Sequence, residues 1–182
     1  AKCVTMDLKY AGNAIYLVGK TSEELGGSHW SLVRGLSGGQ VPQMDTSVAK
    51  PTFEAMHKAI HSGTVRACHD LSEGGLAVAA AEMAFSGGLG IELDLSAIQL
   101  SGDVTTEGLS TIKLFSESNT RFLCEVPEEK ASDFEACFEG LTVSRIGSVT
   151  NDGVCKVIDG ETTLIESEIT ALKEAWQKPL RW

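Results

Sequence analysis

Three short stretches of this chain set glycine beside hydroxyl, carboxylate and imidazole side chains: GGSHW at residues 26–30, HDLSEGG at 69–75 and FSESNTRF at 115–122. In HDLSEGG, His69 and Asp70 fall at a predicted strand end, and Ser72, Gly74 and Gly75 at a predicted helix start. Free N–H groups and the helix dipole favour an anion there, and glycine lets a phosphate approach the main chain closely. Asp70 is placed to hold Mg²⁺ against that phosphate, since this hard cation prefers carboxylate and phosphate oxygens. A purely structural alternative has Asp70 or Ser72 capping the helix while the glycines permit a tight turn.

FSESNTRF puts Glu117, Ser118 and Asn119 just ahead of a strand, a cluster able to hydrogen-bond sugar hydroxyls or an amide; the plainer alternative is a polar turn with Glu117 solvated. GGSHW, containing Gly26, Gly27 and Ser28, is explained by spacing alone as a helix C-cap glycine followed by a loop. His57 and His61 stand one helical turn apart, but Lys58 occupies the place of a metalloprotease glutamate, so the pair reads as a solvated face. Neither a G-x-S-x-G elbow nor a complete Walker loop is present.

The elements that must position these groups follow from periodicity. Residues 14–19 (AIYLVG) form a short apolar strand, and VTMDLK just before reads as the end of another. Residues 21–27 read as a short helix stopped by Gly26, residues 35–42 as a loop, and residues 51–63 as a helix opened by Pro51. Strands are expected at 65–68, 89–95, 121–126 and 142–149, and a hairpin about Asp159-Gly160. Residues 76–85, apolar on nearly every side, make a buried helix; 102–108 make a polar loop. A helix opened by Pro127 carries Phe134 and Phe138 on one face, and an amphipathic helix over 168–176 closes the chain. This order predicts an α+β fold, a mixed sheet with helices packed on it.

At 182 residues and 42% apolar composition the chain supports one well-buried core. A net charge of -10 argues against binding nucleic acid through phosphate neutralisation. No apolar run is long enough to span a bilayer, and the first residues lack the layout of a secretory signal, so a cytoplasmic protein without a membrane partner is expected. Cys3, Cys68, Cys124, Cys137 and Cys155 are scattered singly and read as reduced thiols, with Cys68 and Cys124 as small buried hydrophobes.

YLVGKTSEELGGSHW, VRACHDLSEGGLAVAAAEMAFSGGLGIELDL, LFSESNTRFLCEV and ITALKEAWQKPL, in this order, resemble the C-terminal domain of the aminoimidazole-ribonucleotide synthetase superfamily, and within it the phosphoribosylformylglycinamidine synthase family. The resemblance covers nearly the whole chain. It implies residues 11–182 as that domain, residues 1–10 as the end of a preceding domain, and part of an ATP-dependent ligase. The implied reaction turns formylglycinamide ribonucleotide into its amidine in purine biosynthesis. Ammonia comes from a glutaminase subunit or domain, and the remainder of the enzyme is the other partner. The resemblance further implies a nucleotide site on Gly26, Gly27, Ser28, His69, Ser72, Gly74 and Gly75, Mg²⁺ on Asp70, and a substrate-contacting stretch at Glu117, Ser118 and Asn119. Asn119 stands where the family's first-half copy has glutamine. This shorter arm implies an auxiliary nucleotide site, or a scaffold; the remaining alternative is a domain of another enzyme of the same superfamily.

Overall fold

The computed structural model describes residues 2–102, 104 and 108–180. Seven strands form one sheet: β1 Ala14–Val18, β2 Ala67–Asp70, β3 Gly90–Asp94, β4 Phe122–Val126, β5 Val143–Thr150, β6 Val154–Asp159 and β7 Thr162–Glu168. Their order is β2-β4-β1-β5-β3-β6-β7, and all neighbours are antiparallel except the parallel pair β3 and β6. Among the described residues six α-helices accompany it: α1 His29–Arg34, α2 Thr46–Ser62, α3 Gly75–Gly87, α4 Leu109–Phe115, α5 Ala131–Glu135 and α6 Ile169–Gln177. This is the mixed sheet with packed helices expected from the sequence.

Alternation along the strands divides the core in two. Ile15 and Leu17 of β1 join Leu76, Ala80 and Met83 of α3 on one face, while Ala14, Tyr16 and Val18 meet Met56 and Ala59 of α2 and Phe134 on the other. Strand β1 is therefore buried at every position, covered by helices on both sides. β3 instead buries Ile91 and Leu93 and exposes Glu92.

Several local expectations give way to specific contacts. Residues 2–10 carry no strand; Leu8 is buried against α3, its N–H donating to the Met83 carbonyl at 3.1 Å. Residues 21–27 are not helical, because their amides go elsewhere: Thr21 exchanges hydrogen bonds with Gln99 and Ser101, and the Ser22 amide donates to Ser118. α2 begins five residues before Pro51, at Thr46, where Asp45 caps the Ser47 amide at 2.9 Å. The helix expected after Pro127 is divided into two 3₁₀ turns flanking α5, although Phe134 and Phe138 still share a face, with ring centroids 4.9 Å apart. α4 falls in a stretch given no element by the sequence pattern. The expected polar loop at 102–108 lies largely outside the described residues.

Glu125 of β4 is fully buried and anchors the first residues of the chain. Its carboxylate accepts from the Lys9 amide at 2.7 Å, the Tyr10 amide at 3.0 Å and the Asn13 side-chain amide at 2.5 Å. Removing it strands three donors, each bonded to a charge. Glu125→Ala is expected to lower the unfolding free energy by about 3 kcal/mol in urea denaturation, and a loss below about 1 kcal/mol would refute this anchoring role.

Candidate functional site

The three polar segments converge on a single carboxylate. Glu117 Oε1 accepts from the His29 amide at 2.9 Å and from the Gly74 amide at 2.8 Å. His29 opens α1 and Gly74 is the N-cap of α3, so one carboxylate oxygen faces the positive ends of two helices. The His29 ring stands close by, with Nδ1 3.6 Å from the same oxygen. Glu117 is thus no solvated turn residue, and the Gly74 amide at the start of α3 is occupied by a side chain of the protein itself.

The neighbouring loop atoms hold Glu117 in place. Ser118 Oγ accepts from the Ser22 amide at 3.0 Å, and the Glu117 amide donates to the Glu24 carbonyl at 3.3 Å. Beneath them lies Arg121, 1% exposed. Its guanidinium donates to the carbonyls of Ser116 and Ser118 and to Thr21 Oγ1. Burial pulls its pKa down to about 10, while the charges of Glu24 and Glu117 oppose that shift; the group remains a cation at neutral pH. Glu24, also buried, accepts the Gln43 amide at 2.8 Å and so ties the 35–45 loop to the same cluster. Thr120, next to Arg121, has φ 61, an αL conformation costly for a β-branched residue.

The glycines have geometric reasons of their own. A Cβ on Gly75, where φ is +62, would lie 2.5 Å from the Ser116 carbonyl oxygen; one on Gly26 would lie 2.5 Å from that of Gly39. Gly27 takes φ +71 in the turn before α1. Ser28 is a buried N-cap, accepting the Ser31 amide at 3.2 Å, so GGS opens a helix rather than closing one. Neither Asp70 nor Ser72 caps α3, which has no side-chain cap on its N-cap residue.

His69 departs from the expected nucleotide-binding set. Its ring turns toward α3, where Nε2 lies 2.8 Å from Glu82 Oε2, and Glu82 Oε1 accepts the Trp176 indole N–H at 2.9 Å. Asp70, whose Oδ1 lies 3.5 Å from His69 Nδ1, lines an open groove of about 510 Å³. Ser72, Glu73, Glu117 and Asn119 line that groove with Asp70, and Met44, Phe53 and Phe122 form its apolar wall. Gly26, Gly27, Ser28, His69, Gly74 and Gly75 do not line it. Among the described residues no group of three or more His, Cys, Asp or Glu side chains could hold a metal ion. A cation at Asp70 therefore needs oxygens from a bound phosphate and water, which is the usual manner of Mg²⁺.

Fold and loops together are those of a defined domain class. Residues 10–160 match the family described as AIR synthase related protein, C-terminal domain, and the chain belongs to that family. A phosphoribosylformylglycinamidine synthase subunit PurL of Thermococcus sibiricus is 40% identical over 149 residues, 81% of this chain and 20% of that protein. Its counterpart from Alkaliphilus metalliredigens is 33% identical over 184 residues, spanning 100% of this chain and 24% of that protein. The chain thus spans less than a quarter of the length of these relatives. Two Thermotoga maritima PurL structures share the fold: one complexed with ATP (TM-score 0.76, 22% identity, 94% of this chain, 27% of that chain) and one with FGAR (TM-score 0.79, 22% identity, 93% and 29%).

Glu24 carries no motif, and Arg121, though within FSESNTRF, gives no sign of burial as a lone arginine at a strand start. The nearest signal was the run of loop residues SESNT, whose carbonyls must find donors once the loop folds inward. Arg121→Met is expected to cost about 2–4 kcal/mol, since it leaves carbonyls and Glu24 without their cation. Arg121→Lys should recover little of that, because an ammonium lacks the planar fork; urea denaturation of both variants checks this.

Proposed function

We propose that this chain is a C-terminal-type domain of a phosphoribosylformylglycinamidine synthase. In this reading it is part of a cytoplasmic ligase that uses ATP to turn formylglycinamide ribonucleotide into the amidine during purine biosynthesis. The ammonia derives from glutamine through a glutaminase subunit or domain, and the rest of the enzyme completes the site. The observation that carries this is the 40% identity to a named PurL over 81% of the chain. The groove at Asp70 has the makeup such a task requires: an exposed carboxylate, hydroxyl and amide groups, and an apolar wall. ATP would activate the amide oxygen as a phosphate ester that ammonia displaces, and bound Mg²⁺ would neutralise phosphate charge. Asp70 is assigned to that cation, Ser72, Glu117 and Asn119 to the ligand side, and Gly26, Gly27, Ser28, His69, Gly74, Gly75 and the buried Ser118 to shaping the loops that present them.

A second reading has one observation in its favour. Glu117 already occupies the Gly74 and His29 amides, so a phosphate reaches those donors only by displacing it. On that basis the domain serves an auxiliary nucleotide site, or acts as a scaffold, in the same enzyme.

Calorimetry of Mg²⁺-dependent ATP or ADP binding to the assembled enzyme, wild type against Asp70→Asn, separates the readings when run beside an amidine-formation assay. The proposal expects nucleotide affinity to fall about tenfold or more, with turnover reduced in parallel. Loss of one bound nucleotide with turnover retained places Asp70 in an auxiliary site. Unchanged binding and unchanged turnover leave the scaffold.

A further inference from the structure

Cys68 and Cys124 lie opposite one another on adjacent antiparallel strands, β2 and β4, with their sulfurs 3.7 Å apart. The Leu71 amide donates to the Arg121 carbonyl, which in this register makes 71 and 121, 69 and 123, and 67 and 125 the hydrogen-bonded pairs. The Cys68 amide confirms the alternation, pointing away from β4 to donate to the Thr5 carbonyl at 3.2 Å. Cys68 and Cys124 are therefore a non-hydrogen-bonded pair, the closer kind, with Cα atoms typically about 4.5 Å apart. That separation falls within the range a disulfide spans, about 4.4–6.8 Å. Both side chains project from the same face of the sheet, toward Met56 of α2.

We propose that Cys68 and Cys124 form a reversible disulfide when the protein meets a peroxide. Cys68 is partly exposed and Cys124 is fully buried, so the oxidant reaches Cys68 first. The Cys68 sulfur attacks one peroxide oxygen, the O–O bond breaks, and a sulfenic acid and water result. Cys124 Sγ then attacks the Cys68 sulfur, the S–O bond breaks, and a second water leaves as the S–S bond forms. Two thiols are oxidised and one hydrogen peroxide is reduced to two waters. In a reducing compartment such a bridge is transient, and thiol exchange returns it to the dithiol. The bond would staple β2, an edge strand of the sheet, to β4. Asp70 and Phe122, the next pair on that face, both line the groove, so oxidation would stiffen its wall without touching a ligand-facing group.

The test is peptide mapping after exposure of the native protein to stoichiometric hydrogen peroxide, with free thiols alkylated under denaturing conditions before tryptic digestion. Cys68 lies in the fragment 67–113 and Cys124 in 122–130. The expected result is these two fragments joined, two hydrogens lighter than their sum, and separated by dithiothreitol. The join should persist in the Cys3→Ser/Cys137→Ser variant and vanish in Cys68→Ser. Full alkylation of Cys124 at a peroxide dose that oxidises Cys68 overturns the proposal, as does Cys68 ending as a sulfinic acid or linked to another cysteine.

Discussion

The arrangement of the loops depends on one buried cation. Arg121 is withdrawn from water almost completely, and its placement is tolerable only because carbonyls from Ser116 and Ser118 and the Thr21 hydroxyl replace its hydration, with Glu24 and Glu117 supplying opposing charge. In satisfying itself the guanidinium folds the 116–120 loop inward and brings the 21–24 segment against it. Glu117 then has one place to go, between the starts of α1 and α3. Two helix N-termini and one carboxylate complete the arrangement, each supplying what the other lacks.

The sheet makes this possible by bringing distant segments to one end of the domain. β1 leads into residues 19–28, β2 into 71–74, and the 116–120 loop enters β4, and these three strands are neighbours in the order β2-β4-β1. Antiparallel pairing puts the start of β4 beside the ends of β1 and β2, so loops far apart in sequence share one end of the sheet. Gly75 and Gly26 permit the close approach of backbones that this convergence demands, at positions where any side chain would strike a carbonyl.

Much of this was legible in the sequence. The strand alternation, the all-apolar α3 and the Asp159-Gly160 turn are local patterns, and they placed the strands of the mixed sheet, α3 and α6, though not α1 or α4. The three polar segments were also visible, because glycine and hydroxyl residues at element boundaries stand out from core patterning. Their mutual arrangement was not. Residues 21–27 carry a good capping pattern, yet long-range hydrogen bonds to 99–101 and to Ser118 outweigh a helix that short. Glu117 reads as a solvated residue until α1 and α3 aim their amides at it. His69 reads as a ligand beside Asp70, and its Nδ1 does stand 3.5 Å from Asp70 Oδ1, but strand alternation turns its Nε2 to Glu82 on the α3 side.

The central claim is that Glu117 joins the starts of α1 and α3 as one unit. It is tested most directly by measuring backbone amide hydrogen exchange at His29 and Gly74 by NMR in the wild type and in Glu117→Ala. Both amides donate to the same carboxylate oxygen, so the substitution should speed exchange at both together. Faster exchange at only one of the two, or at neither, would contradict the account.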